Sequence, residues 1–173
     1  MVTTPDGFKE AYKSFIAGGW TSISGDTSYG GQGLPSSISI AISEMLATAN
    51  WAWSMYPGLS EGAIATLEAH GTDVQKDFYL SKLISGQWSG TMCLTEAHCG
   101  TDLAQMKSNA VPDDEGAYRL NGTKIYISAG EHDLTENIIH IVLAKLPNAP
   151  SGTKGLPRIP PFSWQFGSGA VSR

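Results

Sequence analysis

Cysteine is nearly absent, with Cys93 and Cys99 the only two in 173 residues. That excludes the disulfide framework of a small secreted scaffold, and free thiols in a reducing compartment are expected. Basic clusters are missing as well. Eleven Lys and Arg against sixteen Asp and Glu leave a net charge of −5, which repels a phosphate backbone and excludes nucleic acid as a partner. No apolar run is long enough for a membrane span, because the richest stretch, Ile38 to Met55, is interrupted by Ser39, Ser43, Glu44, Thr48 and Asn50. The opening residues MVTTPDGFKE contain no basic region followed by an apolar core, so no signal peptide is expected and Asn121-Gly122-Thr123 is an idle glycosylation match. A cytoplasmic localisation follows as the expectation. Charge is also sparse, at 16% against 41% hydrophobic residues. Such a chain buries a core, and a disordered polyelectrolyte is excluded.

What the chain has in excess is Gly and Pro, twenty and nine of them, which punctuate it into short elements. From Asp6 as N-cap, Phe8, Tyr12, Phe15 and Ile16 fall on one helical face, and the helix ends at Gly18-Gly19. Ser24 to Pro35 is dense in turn formers and reads as an irregular loop. Ser36 and Ser37 precede a second helix with Ile38, Ile42, Met45, Leu46 and Ala49 on one side, predicted to end before Pro57-Gly58. A further helix capped by Ser60 runs to His70-Gly71, and another begins at Asp73 with Val74, Phe78, Leu80, Leu83 and Ile84. After Gly90 the period changes. Met92–Thr95, Ser108–Val111, Ala117–Leu120, Lys124–Ser128 and Ile138–Ala144 are predicted strands, with turns at Asp114-Glu115-Gly116 and Asn121-Gly122. Helices followed by strands predict an α+β fold: an all-helical N-terminal domain over residues 1–89, an incomplete antiparallel β-domain over 90–156, and an irregular, poorly ordered tail over 157–173. A doubly wound nucleotide fold is disfavoured by the same order.

Most short motifs carry little chemistry. Gly30-Gly31-Gln32-Gly33 lacks the preceding strand and following helix of a phosphate loop. Cys93, His98 and Cys99 have neither a fourth ligand nor the usual zinc spacing, so no metal site is expected. The chemistry-bearing segment is LTEAHCGTD, residues 94–102, followed about twenty residues later by GTKIYISAG, residues 122–130. Were these two neighbouring strands, their ends would gather amide groups, Thr95, Thr101, Tyr126 and Ser128 around one slot. That slot suits a flat heteroaromatic ring, with Tyr126 supplying an apolar face. Taken one by one, Thr95 reads equally as a cross-strand pairing residue, and Glu96 and Asp102 as turn caps.

The pair of motifs resembles the acyl-CoA dehydrogenases, flavoproteins that desaturate acyl thioesters between the α and β carbons. Glu131 to Asn137, continuing the second motif, is similar to the bacterial branch acting on 3-methylthiopropanoyl-CoA. The resemblance covers residues 7 to 156. It implies FAD as cofactor, an acyl-CoA substrate, an electron-transfer acceptor and a homo-oligomer. It further implies that Leu94 and Thr95 contact the flavin pyrimidine edge, and that Gly100 and Thr101 line the cleft. Tyr126 stands where the family often has Trp beside the isoalloxazine, and Ser128 where it often has Thr near the reactive nitrogen. Ala97 departs from the family's usual Pro, which leaves that turn less rigid.

Abstraction of an α-proton requires a carboxylate beside the substrate, which the family supplies from a C-terminal helical domain. Nothing after residue 156 resembles that domain. The sequence therefore reads as truncated and inactive alone, or else as a noncatalytic binding or interaction fragment; Glu96, His98 and Asp102 are the only substitute bases in the motif.

Overall fold

A computed structural model describes residues 2–114, 117–150 and 152. The expected tail at 157–173 lies outside the described residues. Among the described residues three α-helices come first: α1 (Phe8–Ala17), α2 (Ser36–His70) and α3 (Asp73–Ile84). Four strands follow: β1 (Trp88–Cys93), β2 (Asn109–Pro112), β3 (Tyr118–Asn121) and β4 (Asn137–Val142). The helices-then-strands order is the one the sequence dictates.

Helix α1 buries Tyr12 and Phe15, which meet Trp53 of α2 in a small aromatic cluster. The indole of Trp53 donates to the Phe8 carbonyl at 3.2 Å, so α2 holds the first turn of α1 by a polar contact as well as by the edge-on contact of Phe8 with Tyr56. Burial pushes the Tyr12 phenol up to about 12. Between α1 and α2 the loop is less irregular than its composition suggests. Asp26 caps a short 3-10 turn at Thr27–Tyr29 by accepting from the Ser28 amide at 2.7 Å.

Helix α2 runs through Pro57-Gly58, where the sequence predicts a stop, and breaks instead at Asn50, whose backbone is extended (φ −161°, ψ 96°). Asn50 Oδ1 accepts from the Trp53 amide at 3.0 Å. In physical terms α2 is two helices, and Asn50 is the N-cap of the second. Pro57 is tolerated inside that second segment although it removes a helical donor, and its ring is buried. Thr72 starts α3 with a full capping box, its hydroxyl accepting from the Gln75 amide while the Gln75 side chain accepts from the Thr72 amide.

The main core joins α2, α3, β1 and β4 through Ile64, Leu67, Leu80, Leu83, Trp88 and Ile139. Gly90 of β1 makes this close approach possible, since a Cβ there would lie 2.4 Å from Ala63 Cβ on α2. The Lys82 ammonium of α3 sits 4.0 Å from the centre of the Trp88 ring.

The β region departs from the wholly antiparallel expectation. The β2/β3 hairpin is antiparallel, with Ala110 opposite Leu120. In contrast β1 and β4 pair in parallel, Gly90 opposite Ile139. The long excursion from Leu94 to Glu136 gives the chain room for the crossover that parallel pairing needs. The predicted strand Lys124–Ser128 is not a strand, and Asn121-Gly122 ends β3 without turning into a hairpin. Among the described residues, no helix is long and apolar enough to cross a membrane.

Candidate functional site

The two motif segments leave regular structure where they meet. Leu94 and Thr95 follow directly on β1, and the chain then turns at Glu96 to Cys99, whose backbones exchange hydrogen bonds of 2.8 and 3.1 Å. The second segment lies beside them. The Ile125 amide donates to the Thr95 carbonyl at 2.9 Å, and the Lys124 ammonium donates to the Leu94 carbonyl at 3.0 Å. Adjacency of the two motifs therefore holds without the strand ladder expected between them.

The reason for the missing ladder is backbone conformation. Tyr126 and Ala129 adopt left-handed dihedrals, with φ of 57° and 52°, which side chains with a Cβ adopt at a cost. Tyr126 is 88% exposed. A short turn follows in which the Gly130 amide donates to the Ile127 carbonyl at 3.2 Å, leaving Ser128 exposed. Of the other candidates, Gly100 neighbours Thr95, since a Cβ on Gly100 would meet Thr95 Cγ2 at 3.8 Å. Thr101 is exposed, and its carbonyl accepts from the Leu103 amide at 3.1 Å.

Glu96 organises the ground beneath these residues. It is buried, and its carboxylate accepts from the Lys107 amide (2.9 Å), the Ser108 amide (3.0 Å) and the Lys124 ammonium (2.9 Å). Burial works to raise its pKa, but donation from Ser108, Lys107 and Lys124 prevails and brings it down to about 2. Gly122 lets β3 approach this knot, because a Cβ there would lie 2.2 Å from Ser108 Oγ.

Neither of the other two potential bases is free of its turn. Asp102 accepts from the Ala104 amide and the Gln105 side chain, and His98 Nε2 donates to the Gln105 carbonyl at 3.0 Å. Ligand atoms of Glu96, His98 and Cys99 lie within 4.8 Å of one another. Since Glu96 already serves three donors, the arrangement is that of a braced turn.

A second polar knot escaped the sequence reading because its members are scattered along the chain. Buried His132 accepts from the Leu134 amide at Nδ1 (3.2 Å), which leaves its proton on Nε2, 3.0 Å from Ser89 Oγ. Ser89 in turn donates to Thr135 Oγ1 (3.1 Å), and Thr135 donates to the Asn137 carbonyl. With the imidazole donating to the serine, this is no nucleophile and base pair. Next to it, Asp133 takes both the amide and hydroxyl of Thr4 and the Lys9 ammonium (2.8 Å), which ties the N-terminus to the segment following Ser128. Those donors hold the Asp133 carboxyl well below the usual carboxylate range.

The profile of the acyl-CoA dehydrogenase N-terminal domain matches residues 3–87. The chain is 49% identical over 155 residues to 3-methylmercaptopropionyl-CoA dehydrogenase of Ruegeria pomeroyi, an alignment covering 90% of this chain and 26% of that protein. It is 36% identical to a butyryl-CoA dehydrogenase of Syntrophomonas wolfei, covering 90% of this chain and 25% of the relative. The chain thus spans about a quarter of the length of the curated relatives it matches. Among solved structures, butyryl-CoA dehydrogenase from Megasphaera elsdenii superposes with a TM-score of 0.70 at 30% identity, over 79% of this chain and 36% of that one. An acyl-CoA dehydrogenase from Bacillus anthracis complexed with FAD superposes with a TM-score of 0.68 at 27% identity, over 80% of this chain and 23% of that one. With its helical half matched and its two joined motif segments falling within the longer alignments, the chain belongs to the acyl-CoA dehydrogenase family.

Proposed function

We propose that this chain forms the flavin-facing part of an FAD-dependent acyl-CoA dehydrogenase, which desaturates an acyl-CoA thioester, and that it does not turn over by itself. The observation that carries the reading is Tyr126, an aromatic ring held open to solvent by a left-handed backbone beside the Thr95 segment. A costly conformation that exposes an apolar ring is better explained by a ligand that stacks on it than by folding. The donor set fits an isoalloxazine, with the hydroxyls of Thr95 and Ser128 and the neighbouring backbone available to its polar edge.

In this reading Leu94 and Thr95 hold the pyrimidine edge, Gly100 and Thr101 line the cleft, Tyr126 flanks the ring and Ser128 directs its hydroxyl toward the reactive nitrogen. Bound FAD would supply the two-electron acceptor that protein side chains lack. Glu96 is not assigned as the base, because its buried carboxylate already accepts from Lys107, Ser108 and Lys124, and His98 and Asp102 are assigned to bracing the turn through Ala104 and Gln105. Division into a helical unit over 1–89 and a flavin unit over 90–156, an electron-transfer flavoprotein as acceptor, assembly into a homo-oligomer and a cytoplasmic location complete the proposal.

A groove of about 200 Å³ favours a second reading, a noncatalytic acyl-CoA-binding or interaction fragment. Trp20, Ile42, Leu46, Trp51 and Leu59 line it, and Glu61 lies at its wall. One experiment tests both. The purified chain is titrated with FAD, and the flavin-loaded protein is then offered butyryl-CoA and 3-methylthiopropanoyl-CoA with an artificial electron acceptor. Flavin uptake without turnover is expected. Acceptor reduction would overturn the proposed inactivity, and failure to take up FAD would overturn the flavin site.

A further inference from the structure

We infer that Lys124 is a positioning residue, whose ammonium clamps the segment carrying Tyr126 and Ser128 onto the segment carrying Leu94 and Thr95, with buried Glu96 as its counter-charge. The consequence for FAD rests on the flavin-site reading above; the clamp itself rests on geometry alone.

Lysine is rarely buried unless paired. Here the Lys124 side chain is 10% exposed and the Glu96 side chain 3%. Two of the three ammonium donors are spent across the junction, one on the Leu94 carbonyl at 3.0 Å and one on Glu96 Oε1 at 2.9 Å. The need for such a clamp follows from the fold. Residues 124–128 form no strand, and among the described residues a single backbone hydrogen bond, Ile125 to Thr95, joins the two segments. A ladder would fix register with a series of bonds; here a side-chain ion pair supplements one.

Glu96 is fixed independently of Lys124. The Lys107 and Ser108 amides hold its two oxygens, and reciprocal backbone bonds with Cys99 hold its turn. His98 Nε2 also lies 3.4 Å from Oε2. The carboxylate is therefore a stationary anchor, and Lys124 is the arm that reaches it. Two residues further on, the left-handed step at Tyr126 converts the position of that arm into the position of the exposed ring. Lys124 acts on the ring through the backbone and is not assigned a contact with flavin.

The test uses the full chain carrying Lys124→Met, Lys124→Arg or Glu96→Gln. Amide hydrogen exchange is followed at Ile125 and at Leu80 of the core, and FAD affinity by flavin fluorescence titration. Losing a charge-assisted clamp of this kind is expected to raise Ile125 exchange about tenfold and weaken FAD binding about tenfold in Lys124→Met. Leu80 protection stays intact, and Lys124→Arg recovers most of both. Unchanged Ile125 exchange in Lys124→Met overturns the clamp. Raised Ile125 exchange with unchanged FAD affinity overturns the positioning role. Should Lys124→Met lose Leu80 protection too, Glu96→Gln decides: faster Ile125 exchange over an intact core supports the clamp, and unchanged exchange overturns it. If the natural chain binds no FAD, the flavin reading fails, and Ile125 exchange still judges the clamp.

Discussion

Acid should destabilise this chain well above the pH at which carboxylates titrate, through His132. Burial pushes this imidazole from its ordinary 6.5 down to about 4, with His140 adding to the effect and Asp133 opposing it. A second proton would go to Nδ1, the atom that accepts from the Leu134 amide, and would charge a ring standing edge-on to Tyr56, 5.1 Å between centres. As pH falls, the unfolded chain takes up its proton near 6.5 while the folded chain resists until about 4. Stability is therefore full above the unfolded value and is lost on the way down. Linkage gives a loss of about 2 kcal/mol between pH 7 and 5, approaching about 3 kcal/mol below pH 4. Glu96 and Asp133 are silent across the pH 7 to 5 window, because their depressed values make their stabilisation fade only below the ordinary carboxylate range. His140, also lowered by burial, adds in the same direction. Urea denaturation at pH 7, 6 and 5 measures the slope, and His132→Gln should flatten most of it. Parallel pH profiles for the natural chain and the variant would refute the reasoning.

Gly90→Ala should destabilise the chain by about 1–3 kcal/mol through overpacking, since its Cβ would drive into Ala63; thermal unfolding reads the loss, and an unchanged melting temperature would contradict the close packing of α2 on β1. Asn50→Ala removes the cap of the second segment of α2 and should cost about 1 kcal/mol, measured by chemical denaturation. A neutral or stabilising result would mean that the break at Asn50 is imposed by its surroundings and not by its side chain.

Much of this was legible because it is local. The apolar spacing of Phe8, Tyr12, Phe15 and Ile16 marks α1, and the run from Val74 to Ile84 marks α3, since each helix is specified by residues within a turn or two of one another. The two motifs also carried the family resemblance, and they fall within the alignment to the Ruegeria pomeroyi relative. The break in α2 was misplaced for a physical reason. Pro57 is a strong local stop signal, yet its ring packs in the interior, whereas Asn50 carries no stop signal stronger than a side chain able to cap. Likewise Lys124–Ser128 alternates as a strand would, but the left-handed steps at Tyr126 and Ala129 forbid one.

By itself, then, the sequence determined α1 and α3, the order of helices before strands, and the chemical character of the two segments around Thr95 and Tyr126. Only tertiary structure decided that β1 pairs in parallel with β4, that Lys124 crosses to Leu94 and Glu96, and that Ser89 meets His132. These contacts join residues some thirty to fifty positions apart. No periodicity encodes such pairings, because they are chosen by which folded arrangement satisfies buried polar groups and fills the core at once.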